Sequence, residues 1–374
     1  MAVDALRIWL VMFGCCCCHR AQPRRFPSEL FRTSARLRPA RPVFCPPFRP
    51  RSRGRAGYGI IARVSGIYDE PELYELACAY RDVPAEVSAL QAWYATHFAG
   101  TREGATAGAR AVVGSVLELA AGPAEHAREL ARRGVRATAL DWSAAMCGYA
   151  AGQAKAAGVA LDVVEADMRD FRLSGPDGGL VAFDAAITML NSACHLFTLD
   201  DLVRHLTAVR AHLVAGGLYI VELAHPADFF APEPRTSSEW TVDAPDGLHA
   251  EVHWGGRGDR IDPLTQVTDE HMSITATAKD GTIRTVSDVV PNRFWTLTEF
   301  TAAVALANTV VPANTGAPEN TGAPENTVAP ANTGALASAP AGRFELVASY
   351  GDFDETTALD APSAWRMILV LRNT

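Results

Sequence analysis

From Ser115 onward the chain alternates short apolar runs with helical stripes, and this alternation restricts the fold more than any other feature. SVLEL (Ser115–Leu119), RATAL (Arg136–Leu140), VALDVVEA (Val159–Ala166), FDAAITML (Phe183–Leu190) and LYIVEL (Leu218–Leu223) are the runs. Their length and continuity suit strands buried on both faces of a parallel sheet. Between them, Glu125–Arg133 reads as a helix ended by Gly134, and Ser143 caps a second helix that runs through Lys155. A third helix, Leu199–Leu213, has Asp200 and Asp201 in its first turn, where negative charge is favoured. A break at Gly216–Gly217 precedes the fifth strand. Repeated strand–helix units of this kind give an α/β protein with a parallel sheet and right-handed crossovers.

Two segments stand outside that pattern. Residues 1–57 hold 12 Arg, no Lys and two acids, a charge of +10 inside a chain whose net charge is -8. Arg-rich, acid-poor composition fits an organellar transit peptide, addressed to mitochondrion or plastid. The apolar stretch Ala5–Cys18 also fits a signal-peptide core, and an untargeted tail with a cytoplasmic protein behind it stays open. Cys15–Cys18 are adjacent, whereas metal motifs space their ligands, so no metal site is expected there. Cys78, Cys147 and Cys194 are the body's cysteines, too few for a disulfide framework. Between Pro312 and Ala335 the unit PANTGA, PENTGA, PENTVA, PANTGA repeats. Pro in every unit, with Asn and Gly nearby, sustains neither helix nor strand, so 308–342 reads as a disordered insert without catalytic role. The acidic balance argues against a nucleic-acid partner, and no apolar run is long enough to span a bilayer.

Chemistry in an open parallel sheet gathers at the carboxyl ends of the strands. Glu118, Asp141, Asp167 and Asn191 stand at or just past four successive strand ends, separated by 23, 26 and 24 residues. Any one of them alone is most simply a turn former or a helix cap. Together, beside Gly122, they point to a nucleoside site. Gly122 lets backbone approach a ligand, and an ionised Asp141 can accept both ribose hydroxyls. The turn ELAAGPAEHA is not a full dinucleotide fingerprint, because Ala120 and Ala124 stand where glycines would cradle a pyrophosphate. A ligand without a pyrophosphate relaxes that need.

VLELAAGPAEHARELARRG (Val116–Gly134), ALDWSAAM (Ala139–Met146), EADMRDF (Glu165–Phe171), FDAAITMLNSACHL (Phe183–Leu196) and HLVAGGLYIVEL (His212–Leu223) resemble, in order and spacing, the motifs of class I S-adenosylmethionine-dependent methyltransferases. The resemblance spans about 110 residues and implies a Rossmann-like, seven-stranded, mostly parallel sheet ending in an antiparallel hairpin. FELVASY (Phe344–Tyr350) and WRMILVL (Trp365–Leu371) would supply that hairpin, after a helix that starts in WTLTEF with Thr296 or Thr298 as cap. It implies S-adenosyl-L-methionine as cofactor. Glu118, Ala120 and Gly122 would form the loop beside the methionine part, Asp141 would bind the ribose and Asp167 the adenine amino group. Met168 would offer an N–H and an apolar wall, with Trp142 and Asn191 also at the cofactor. IYDEPELYELACAYRD (Ile67–Asp82) resembles the helix that closes the pocket, and one of its tyrosines, Tyr68, Tyr74 or Tyr80, with Tyr74 the candidate taken, would touch a sulfonium. Alternating sequence between Ala250 and Pro291 predicts an antiparallel β lid over a small-molecule acceptor.

The expected organisation is a leader (1–57) and one methyltransferase domain (58–374). The domain divides into a helical cap (58–111), a cofactor core (112–223), the lid (224–296), and a terminal helix and hairpin (297–374). Its reaction would be in-line methyl transfer to nitrogen or oxygen of a small molecule. His195 is the candidate base, and His195, His225 and Arg293 are candidate acceptor contacts; each has a plainer reading as a cap, packing group or ion pair. An NAD(P)-dependent oxidoreductase on the same architecture, or a non-catalytic relative, is the alternative.

Overall fold

The computed structural model describes residues 66–99, 112–230, 237–310 and 342–374, all within one compact unit, Ile60–Thr374. The leader, with its targeting expectation, and nearly all of the repeat insert lie outside the described residues. Seven strands form the main sheet: β1 (Ser115–Leu119), β2 (Arg136–Asp141), β3 (Leu161–Glu165), β4 (Phe183–Thr188), β5 (Leu213–Ala224), β10 (Phe344–Tyr350) and β11 (Arg366–Asn373). Their order is β10-β11-β5-β4-β1-β2-β3. β11 pairs antiparallel with both β5 and β10, and the other neighbours pair in parallel. The order reverses direction at β1, between β4 and β2, so the crevice for a ligand opens beyond the carboxyl end of β1.

Both faces of the sheet are covered. Val116, Ala139, Ile187 and Ile220 pack under helices α2 (Val83–His97), α3 (Glu125–Arg132) and α4 (Ala144–Ala156). Leu117, Leu119, Leu140 and Tyr219 pack under α5 (Leu199–Ala211) and α6 (Leu297–Ala307). Successive residues of β1 therefore go to opposite cores, which is why the run carries no alternation. Leu117 is completely buried, so Leu117→Ala belongs to the class of core truncations costing about 2–5 kcal/mol.

Local chemistry places the helix ends. Ser143 accepts from the Met146 N–H to open α4. Thr198 with Asp201, and Thr296 with Glu299, form reciprocal capping boxes on α5 and α6. Three elements depart from expectation. The third helix stops at Ala211, and Leu213 already belongs to β5. That strand runs through Gly216–Gly217 rather than starting after them; Gly216, at φ 79°, absorbs a register shift against β4. The pocket-closing segment is not one helix but a single turn (Ile67–Asp69) followed by α1 (Pro71–Cys78).

The lid is a separate antiparallel sheet of four strands, β6 (Ser238–Asp243), β7 (His249–Trp254), β8 (Val267–Thr277) and β9 (Ile283–Arg293), in sequence order. Ala250, Val252, Met272, Ile274 and Ala276 face inward onto Ile67, Leu73, Leu76 and Ala77. The sheet thus rests its apolar side on the segment Ile67–Ala77.

Candidate active site

At the end of β1 the chain makes a tight loop with Ala120 at φ 49°, Gly122 at φ 53° and Ala124 at φ 59°. The two alanines at glycine-like sequence positions hold the left-handed conformation that glycine adopts without strain. The Gly122 N–H donates to Asp141 Oδ2 at 2.7 Å, and the Ser143 N–H donates to Oδ1 at 2.8 Å. Asp141 is thereby fixed at the crevice with lone pairs to spare. Burial raises its pKa, opposed by those backbone donors. A Cβ on Gly122 would meet only Tyr74 Cε1 at 3.8 Å and Met146 Sδ at 4.0 Å. The space above the loop is open to a ligand, with an aromatic ring at its side. An acceptor carboxylate, an open glycine turn and the exposed indole of Trp142 together fit a nucleoside.

A second group of side chains gathers beside that loop. Leu190 and Asn191 both have positive φ, and the following turn (Ser192–His195) presents His195. The Tyr68 hydroxyl and His195 Nε2 share a hydrogen bond of 3.1 Å. The rings of Tyr68 and Tyr74 are 5.6 Å apart, and Tyr74 and Trp254 6.2 Å apart. Burial pushes the His195 pKa down to about 4, partly opposed by the Pro291 backbone. At neutral pH His195 is an uncharged imidazole. Tyr68 also bonds through its carbonyl to the Ser143 hydroxyl, which ties the single turn to the Asp141 loop.

Several expected site residues are engaged elsewhere. Glu118 does not line the loop. Its carboxylate accepts from the Ala127 N–H at 2.7 Å and meets His126 at 3.4 Å, supporting the loop from within. Asp167 is held by its neighbour Arg169, through the Arg169 N–H and guanidinium, and stays below the usual carboxylate range. Although burial alone would raise it, the Arg169 bonds prevail. Met168 lends its carbonyl to His205 Nδ1 and its side chain to the core. Asn191 Oδ1 accepts from the Ala224 N–H, which secures the end of β5 rather than a cofactor contact. His225 caps the next turn through Ala227 and bonds to the Leu359 carbonyl. Arg293 donates to the Phe197 carbonyl, pairs with Glu299 and lies 3.7 Å over the Trp295 ring. Caps and strand ends want the same polar residues that ligands do, so His225 and Arg293 serve the scaffold. Of the named residues, Gly122, Asp141, Tyr68, Tyr74 and His195 come together, joined by Trp254, which sequence reading did not assign.

Residues 116–217 match the family model described as a methyltransferase domain. Solved structures of the same architecture include an S-adenosylmethionine-dependent methyltransferase from Clostridium acetobutylicum, 12% identical with a TM-score of 0.56, covering 82% of this chain and 96% of that one. Another is CalS10, a SAM-bound amino pentose methyltransferase of Micromonospora echinaspora, at 17% identity and TM-score 0.52, covering 81% and 97%. KedS8, a sugar N-methyltransferase of Streptoalloteichus, is 19% identical with a TM-score of 0.52, covering 83% and 96%. At these identities the likeness is one of fold. No curated protein matches the sequence. Residues 116–217 thus form a methyltransferase domain, set in a fold that these solved structures share. A methyltransferase domain favours methyl transfer over the oxidoreductase alternative.

Proposed function

We propose that the protein methylates an amine nitrogen of a small molecule. When bound, S-adenosyl-L-methionine supplies a methyl group made electrophilic by the sulfonium. Asp141 would hold its ribose, Gly122 would admit it closely, and Tyr74 would face its charged end. The observation that carries the reading is His195, buried and neutral, with its pKa down at about 4. A base so weak does not suit the deprotonation of a hydroxyl acceptor, whereas an uncharged amine brings its own lone pair. His195 and Tyr68 then orient the acceptor, and the lid excludes water. CalS10 is an amino pentose methyltransferase and KedS8 a sugar N-methyltransferase, which supports a nitrogen acceptor here.

The test combines binding with turnover. S-adenosylhomocysteine should raise the melting temperature of the wild type, and Asp141→Ala should lose at least about tenfold in affinity, one charge-assisted hydrogen-bonded contact being worth roughly 1.5–3 kcal/mol. Labelled methyl groups should pass to amino sugars and not to their hydroxyl counterparts. Transfer to the hydroxyl compounds alone would sink the amine reading while leaving the donor intact.

A further inference from the structure

Glu270 sits on the inward face of β8 and is the charged residue in a row that otherwise reads Met272, Ile274 and Ala276. It is buried. Asn292 Nδ2 donates to its Oε2, and the Trp254 side chain lies near enough to favour its charged form. Asn292 in turn accepts from Cys194 Sγ at 2.9 Å, one residue from His195. Among the described residues no Arg, Lys or His pairs with Glu270. Facing it are Trp254 of β7, Asn292 of β9, Tyr68 of the closing turn, Cys194 beside His195, and Asp259 from the lid loop, whose negative charge bears on it unfavourably.

A carboxylate desolvated among neutral donors and another acid is costly unless a cation joins it. The cation that would settle it can be named by its surroundings. Beside Glu270 lies Trp254, whose ring begins a chain of three: Trp254, Tyr74 and Tyr68. Aromatic faces with one carboxylate are the chemistry that recognises an alkylammonium.

We infer that Glu270 is the counter-ion for a cationic amino group of the acceptor, held between Trp254 and Tyr68 at the seam of lid and cofactor core. This rests on the amine reading above and specifies how the amine is selected: the ammonium binds to the Glu270 carboxylate and passes its proton to it, and the freed nitrogen lone pair then attacks the methyl group. Burial pushes the Glu270 carboxyl up to about 7, partly offset by the Asn292 bond. The site is therefore charged above neutrality and discharged below it.

Calorimetric titration with cyclohexylammonium and cyclohexanol, with and without saturating S-adenosylhomocysteine, tests the assignment. At about pH 8 the wild type should prefer the ammonium at least about tenfold, and the preference should vanish at about pH 5.5, where the carboxyl is protonated. Glu270→Gln, which keeps the shape and the Asn292 bond, should abolish the preference at both pH values, and Glu270→Asp should restore part of it. Equal or absent binding of the ammonium by the wild type overturns the inference. So does a preference that survives in Glu270→Gln, or one insensitive to pH in the wild type. Failure of S-adenosylhomocysteine to bind sinks the methyl-transfer reading instead, and the amine preference is then read from the titrations without it.

Discussion

Two buried acidic neighbourhoods in this molecule are built on opposite principles. Beneath the cofactor loop, Glu86, Glu118 and Glu222 meet Arg81, Arg366 and His126. Arg81 bonds Glu86 at 2.7 Å and Glu222 at 2.8 Å; His126 bonds Glu86 at 2.8 Å. Arg366 approaches both Glu86 and Glu222 at 3.3 Å. Burial works against charge on His126, but its bonds to Glu118 and Glu86 prevail and push its pKa up to about 9. Burial would likewise raise Glu86, but His126 and Arg81 bring it down to about 2. With His126 protonated, three negative and three positive charges cancel. In the lid, Glu270 has neutral donors only. A balanced cluster fixes geometry: Glu222 also accepts from the Leu190 N–H at 2.8 Å, which holds the turn that presents His195. An unbalanced carboxylate leaves room for a ligand's charge.

The largest effect should follow from unbalancing the first cluster. Glu86→Ala strands Arg81, His126 and Arg366 without a shared anion, and loss of one partner in a buried ionic group costs about 3–5 kcal/mol. Urea unfolding at neutral pH measures it. Loss below about 1 kcal/mol would mean that water, rather than protein, balances these charges.

His126→Gln should cost roughly 3 kcal/mol at neutral pH, a rise from 6.5 to about 9 being worth about 1.4 kcal/mol per pK unit. The sign follows from the direction of the shift. A histidine raised in the folded state stabilises fully below its unfolded value of about 6.5, and that stabilisation is lost as pH rises through about 9. Wild-type melting temperature should therefore decline between about pH 7 and pH 9, and the variant should lack that decline. A decline of equal size in both proteins would place its origin elsewhere.

Glu270→Gln should move the other way. A carboxyl raised in the folded state stabilises below its unfolded value and becomes a cost as pH climbs through about 7. Removing the charge should gain roughly 1–3 kcal/mol at about pH 8 and little at about pH 5. The gain would accompany the loss of amine preference, a stability–function trade-off of the usual kind. A variant destabilised at both pH values would make Glu270 a structural acid like Glu86.

The contrast also explains what the sequence disclosed. The parallel core was legible because each buried strand is a continuous apolar run and each helix opens on a capping residue such as Ser143 or Thr296. Asp141 was legible because its position one unit past Glu118 repeats along the sheet edge. β6 was missed: SEWTVD is half solvent-facing and gives no hydrophobic signal. Glu270 was hidden in the polar run Thr268–His271, where only the pairing with β9 reveals that Thr268 and Glu270 face inward while Asp269 and His271 face water. The six charges under the loop come from six elements or their junctions, and no local pattern announces a cluster assembled by topology. Asn191, His225 and Arg293 also hold backbone groups in this structure, because a polar residue at a strand end serves a backbone group as readily as a ligand.

The smallest predicted effects separate strain that serves the site from strain that does not. Ala124 at φ 59° belongs to the cofactor loop, and Gln266 at φ 58° belongs to a lid turn, where its side-chain oxygen is buried without a partner. Glycine relieves about 1 kcal/mol of left-handed strain at either position, less what the freer unfolded chain takes back. At Gln266 the change also removes an unsatisfied oxygen, so Gln266→Gly should gain up to about 1 kcal/mol with S-adenosylhomocysteine affinity unchanged. Ala124 is fully buried, and its lost methyl costs about 0.8 kcal/mol, which nearly cancels the relief. Ala124→Gly should thus leave stability within about 0.5 kcal/mol while loosening the loop that the buried cluster holds, weakening S-adenosylhomocysteine about two- to fivefold through lost preorganisation. Equal affinities in the two variants would mean that the ionic cluster alone, through Glu118 and the Ala127 N–H, keeps the loop in its binding shape.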